Sequence, residues 1–129
     1  MNELEDFLAL PDITDMVAEV EVSERLGKFK IKPMTMDDFS EYQKRCTGKV
    51  NRNGVNFDSA KFNILVVKNQ TVFPDFSNAE FLKKAKCNTP EEFITKKLLV
   101  GEITKLSEEI TKLSGFDTDI NKDIEDAKN

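Results

Sequence analysis

Histidine and tryptophan are absent from this chain, and cysteine occurs only as Cys46 and Cys87. Without histidine, no Ser/His or Cys/His nucleophile pair can be assembled. Two cysteines are too few for the usual four-ligand structural zinc site, and in a reducing cell interior they are expected as ordinary small side chains rather than a disulfide. The glycines Gly27, Gly48, Gly54, Gly101 and Gly115 are dispersed, and none opens a GxxxxGK or GxGxxG phosphate loop. No apolar run approaches the length of a membrane span, and the start Met1-Asn2-Glu3-Leu4-Glu5-Asp6 is acidic where a secretion signal would be basic. The carboxylate pairs Glu91/Glu92 and Glu108/Glu109 are adjacent on expected helices, so their side chains diverge by about 100°. That geometry suits capping and solvation better than general acid/base work. The chain is therefore expected to be no enzyme, to take no cofactor and no metal, and to stay in the cytosol of the cell that makes it.

What is present fits one ordinary domain. The chain has 129 residues, 39% of them hydrophobic and 33% charged, with a formal net charge of -5. That balance supports a packed core under a wet surface. The negative charge disfavours nucleic acid and anionic bilayers as partners. Two short basic groups, Lys28/Lys30/Lys32 and Lys83/Lys84/Lys86, read as solvated faces beside apolar ones. Binding another protein is the remaining function class.

Local patterns divide the chain into elements. Leu4, Phe7 and Leu8 have helical spacing before Pro11, but so short a helix is marginal unless it docks. Residues 1–15 are expected as a mobile arm. Ala18, Val20 and Val22 alternate with Glu19 and Glu21, and Phe29 and Ile31 alternate with Lys28, Lys30 and Lys32. The period of two, reversing near Gly27, predicts a β-hairpin with glutamates facing lysines on the wet side. Thr35 is a candidate N-cap for a helix holding Phe39, Tyr42 and Cys46, which Gly48 ends. Asn51-Arg52-Asn53-Gly54 signals a turn, and a helix from about 58 to 70 follows, although Ile64-Leu65-Val66-Val67 also suits a buried strand. Val72 to Phe76 reads as an apolar bend, and a short helix runs from Ser77 or Asn78 to Lys86.

Thr89-Pro90-Glu91-Glu92 predicts an N-cap, a proline at the first helical position and a capping glutamate. From there a single helix of about 24 residues, roughly 36 Å long, is expected to run to Ser114. Gly115 and Phe116 would close it in a Schellman cap. Leu99, Ile103, Leu106, Ile110 and Leu113 recur along it at heptad spacing. Phe93, Ile94, Leu98 and Val100 widen the apolar surface of the first half, which is expected to pack in the core. The seam has two readings: it is all core, or its second half projects and buries itself on a second copy or a partner helix. Phe73 and Phe76 at the bend are a second candidate binding site. The expected fold is α+β, an N-terminal β-hairpin packed on a mainly helical domain with a long C-terminal helix. Residues 16–116 form that domain, and 117–129 form an acidic tail without fixed structure.

The order of three segments resembles the tail assembly chaperones of long-tailed phages and of Bacillus-type defective prophages. They are Phe73-Pro74-Asp75-Phe76-Ser77-Asn78-Ala79-Glu80, the run from Thr89 to Ile103, and Leu113-Ser114-Gly115-Phe116-Asp117. The hairpin and helix from Val20 to Cys46 are also similar to that family. The resemblance implies a small protein of the host bacterial cytoplasm that binds and solubilises the helical tape measure protein and helps recruit tail tube protein during assembly. It further implies absence from the mature virion. Self-association through the 99–113 seam is a competing use of that surface. A structural or head-tail connector protein retained in the particle is the alternative.

Overall fold

In the computed structural model, the described residues are 3–48, 52, 54 and 56–116. The expected turn at 51–54 lies largely outside them, and the acidic tail entirely. The elements run α1 (Glu3–Leu8), a 3-10 turn (Ile13–Asp15), β1 (Ala18–Ser23), β2 (Gly27–Ile31), α2 (Met36–Cys46), α3 (Ser59–Gln70), β3 (Thr71–Phe73), α4 (Ala79–Lys84), α5 (Pro90–Lys97) and α6 (Val100–Leu113).

The hairpin forms, with glutamates facing lysines on its wet side. Glu19 lies opposite Lys30 and Glu21 opposite Lys28, and all four side chains are exposed. On the other face Val22, Phe29 and Ile31 are buried. Gly27 takes a φ of 74° at the reversal, a conformation that a Cβ would strain. A third antiparallel strand extends the sheet in the order β1-β2-β3, with Thr71 opposite Ile31 and Phe73 opposite Lys30. The segment read as a plain bend therefore begins as a strand. A run of three residues before Pro74 is too short to show the period of two, and its pairing depends on β2.

The helices cover one face of the sheet. α3 lies centrally, touching α2, α5, α6 and β3, while α6 also packs on β1. Ile64–Val67 is helical, so burial against several neighbours overrides the β-branched preference: Val66 and Val67 are 0% exposed. The core joins Val22, Phe29 and Ile31 of the sheet to Tyr42, Leu65, Ile94, Leu106 and Ile110. Local caps account for the helix starts. Thr35 Oγ1 accepts from Asp38 N, and Asp38 Oδ2 accepts from Thr35 N in return. Asp58, Asn78 and Thr89 accept from the N–H three residues on.

The long C-terminal helix is two helices. Leu98 and Leu99 are extended, and the turn between α5 and α6 lets Leu98 and Leu106 both reach the core. Its cause is Glu102. The buried carboxylate accepts from Leu99 N at 2.7 Å, from Ser23 Oγ at 2.7 Å and from Arg25 Nη2 at 2.5 Å. It thereby caps α6 and ties it to the hairpin turn. At 14 residues α6 is about 21 Å long, a length that this domain covers. It ends as expected: Gly115 adopts φ 94°, and the Gly115 and Phe116 N–H groups donate to Lys112 O and Thr111 O.

Candidate interaction surfaces

The seven residues that the sequence offered for protein binding divide by depth. Leu106, Ile110 and Phe76 are at most 1% exposed and belong to the core. Ile103 and Leu113 are half-buried against it. Leu99 and Phe73 stand out at 63% and 59% exposure. The seam is thus no projecting strip. Its second half is the face by which α6 packs on α3, and a hydrogen bond from Ser107 Oγ to Asn63 Oδ1 at 2.8 Å fixes that contact.

Phe76 follows Phe73 by one helical turn's worth of sequence yet points the other way. Its ring lies 5.5 Å from that of Phe93, 6.1 Å from Phe29 and 6.3 Å from Phe81. This aromatic cluster holds the segment leading into α4 onto the core. Phe73 is left outside, at a surface groove of about 380 Å³ lined by Phe73, Pro74, Phe81 and Lys84 together with Asp75, Asn78 and Glu80.

At the elbow between α5 and α6, Val100 is exposed beside Leu99, at 81%. It was expected in the core with Phe93, Ile94 and Leu98; those three do pack inward, and Val100 does not. Val100 is the first residue of α6, at the elbow, and the break at Leu98–Leu99 leaves it outside the packed part of the helix. Arg25 Nη2 also donates to Lys97 O at 3.2 Å, so the elbow is held from the hairpin side. Burial raises the Glu102 pKa, but hydrogen bonds from Ser23, the Leu99 N–H and Arg25 outweigh it and hold the carboxyl below its usual value.

The third apolar surface is the arm. Leu4, Phe7, Leu8 and Leu10 are each at least 64% exposed and Ile13 is 49% exposed. α1 has no buried residue.

Beneath these surfaces the scaffold is stiffened by a buried polar bridge. Tyr42 Oη donates to Gln70 Oε1 at 2.7 Å, and Gln70 Nε2 donates to Pro33 O at 2.8 Å. Burial, with help from the Asp38 and Glu41 charges, pushes the Tyr42 phenol up to about 12. Cys46 and Cys87 are free and buried. Among the described residues no helix is long and apolar enough to cross a membrane.

A family model for the phage XkdN-like tail assembly chaperone protein matches residues 4–128. The chain belongs to that family. Within it, the chain is similar to the phage-like element PBSX protein XkdN of Bacillus subtilis (strain 168), with 28% identity over 106 residues, spanning 78% of this chain and 72% of that protein. The fold of this chain is also similar to the crystal structure of the protein yqbn. That structure superposes with a TM-score of 0.68 at 26% identity, over 91% of this chain and 99% of that one.

Proposed function

We propose that this tail assembly chaperone holds the helical tape measure protein in soluble form in the host cytoplasm, helps bring tail tube subunits to it, and leaves before the virion is complete. The family match across residues 4–128 carries the reading. The geometry adds a means. A long client helix has apolar stripes, and this chain offers separate apolar ledges bounded by charge rather than one deep cleft. Leu99 with Val100 forms one ledge beside Lys96 and Lys97, and Phe73 forms another beside Lys84. Ile103 and Leu113 lie half-buried on α6. Leu106, Ile110 and Phe76 serve from beneath, by fixing where the exposed groups stand. Small ledges give weak single contacts, and many chaperone copies along one client would gain avidity.

Co-expression with the large helical protein of the same tail gene cluster tests this reading. The expected result is a soluble complex with several chaperone copies per client, weakened by Leu99→Glu or Phe73→Glu while the chaperone stays folded. An insoluble client beside a free chaperone would overturn it. Recovery of the chain in purified particles would instead support a retained structural component.

A further inference from the structure

A strip of four aromatic rings crosses from the end of α6 to the start of α3. Phe116 lies 5.2 Å from Phe39, Phe39 lies 5.9 Å from Phe62, and Phe62 lies 5.6 Å from Phe57. Phe39 and Phe62 are half-buried against the core, while Phe57 and Phe116 are each 45% exposed. The last described residue, Phe116, is itself the first ring of this strip. Ser114 Oγ accepts from Met34 N at 2.8 Å and the Phe116 N–H donates to Thr111 O at 3.3 Å, so the point from which the chain continues is fixed on the domain. Residues 117–129 follow, outside the described ones. Their sequence places Ile120, Ile124 and Ala127 at intervals of four and three, among five carboxylates, Lys122 and Lys128. That is the spacing of one helix face. As a helix, residues 117–127 would rise about 16 Å, a match to three ring-to-ring steps of 5.2 to 5.9 Å.

We propose that residues 117–129 turn back on their own domain and seat Ile120 and Ile124 on the Phe39/Phe62/Phe57 strip, so that the chain covers this aromatic surface with its own C-terminal segment. The occupant is chosen by the tether. A segment that starts at one end of the strip and is long enough to reach the other meets it at a high effective concentration, so a small apolar contact suffices. Charge does not choose it: beside Phe57, Lys61 Nζ donates to Arg45 O, Arg45 pairs with Glu41, and Asp58 caps α3. Acids and bases there nearly balance. The expectation that 117–129 lack fixed structure follows from their own composition, and an apolar surface beside them supplies the burial that this composition lacks. The contact goes beyond the client reading and stands without it, since it is read on the purified chain alone.

Isoleucine-methyl NMR on the full chain, compared with a synthetic peptide of residues 117–129, tests the proposal. The Ile120 and Ile124 methyl signals are expected upfield of their positions in the peptide, because they lie over aromatic rings, with nuclear Overhauser contacts to Phe39, Phe62 or Phe57. The shifts should be the same across a concentration series and should persist at high salt, as a tethered apolar contact requires. In the double variant Ile120→Asp with Ile124→Asp, the methyl signal of the fully buried Ile110 should stay in place, showing that the domain is folded, while binding of the apolar dye ANS rises as the strip is uncovered. Methyl signals at the peptide positions would overturn the proposal. So would contacts to other parts of the domain, shifts that grow with concentration and so belong to a second copy, or unchanged dye binding in the double variant.

Discussion

α1 and α6 both present leucine and phenylalanine or isoleucine at helical spacing, and they meet opposite fates. In α6, Leu106 and Ile110 are 0% exposed; in α1, Leu4, Phe7 and Leu8 are 65–71% exposed. Periodicity states that a helix has an apolar face, but not what covers it. Coverage depends on length, capping and a scaffold within reach. α6 has 14 residues, a carboxylate cap at one end, a glycine cap at the other, and α3 alongside. α1 has six residues, and among the described residues none of its side chains is buried, so it is short of both the length and the packing that support α6. One amphipathic helix is thus a wall of the core, while the apolar side chains of the other stand exposed.

The sharpest way to break this contrast is to charge the buried face. Leu106→Glu places an unpaired carboxylate where nothing can solvate it, a cost comparable to the whole stability of a domain this size. Loss of the cooperative melting transition is the expected outcome. Leu106→Ala should retain the fold and lower its stability by about 2–5 kcal/mol in urea titration. If Leu106→Glu folded normally, the C-terminal half of α6 would have to detach, and the difference between the two helices would be one of degree.

Glu102 decides where α6 begins, and it gives the contrast a pH dependence. Replacing it with alanine removes the Leu99 cap and the links to Ser23 and Arg25, for an expected loss of about 2 kcal/mol. Its folded-state pKa lies below the ordinary value, so unfolding takes up a proton at acid pH. The stabilisation is complete above the unfolded pKa of about 4.3 and is lost as pH falls through the folded value. The gap between wild type and Glu102→Ala should therefore close on acidification. A gap that stays constant at low pH would show that the carboxylate acts by shape rather than by charge. Glu91 and Glu92 titrate in the same direction, the first held by Lys68 and the second by the Asn88 N–H, but they remain in both proteins and leave the difference intact.

The buried bridge between α2 and α3 should show a smaller loss. Tyr42→Phe deletes the donor to Gln70 Oε1 and leaves that oxygen buried, at 2% exposure for the residue. A decrease of about 1–2 kcal/mol is expected by urea titration, with the apolar packing of the ring preserved. An unchanged midpoint would mean that Gln70 finds another donor in the core.

What could be read from residues alone was whatever a few neighbouring positions decide. Thr35 as an N-cap, Pro90 after Thr89, glutamates facing lysines across the hairpin and the Gly115–Phe116 cap are local signals, and the structure contains each. The Leu98–Leu99 break carries no local breaker at its own position. Glu102 makes it by reaching Ser23 and Arg25, more than seventy residues earlier in the chain. β3 likewise exists because β2 pairs with it. The candidate surface was half visible for the same reason. Phe73 and Phe76 are alike as letters, and only the cluster of Phe29, Phe81 and Phe93 determines which of them turns inward. Val100 looked like an extension of the core because one continuous helix was assumed there.

The smallest expected effect is the most informative about the arm. Phe7→Glu together with Leu8→Glu adds two charges to a helix with no buried side chain, and the melting transition of the isolated, dilute chain should shift by no more than about 0.5 kcal/mol. The same double change in a helix like α6 would abolish folding. A fall of about 2 kcal/mol under dilute conditions, where copies are apart, would mean that the arm covers its own domain in solution. The apolar face of α1 would then be core after all. An unchanged midpoint would separate the two helices completely, assigning α6 to folding and giving the apolar face of α1 no part in it.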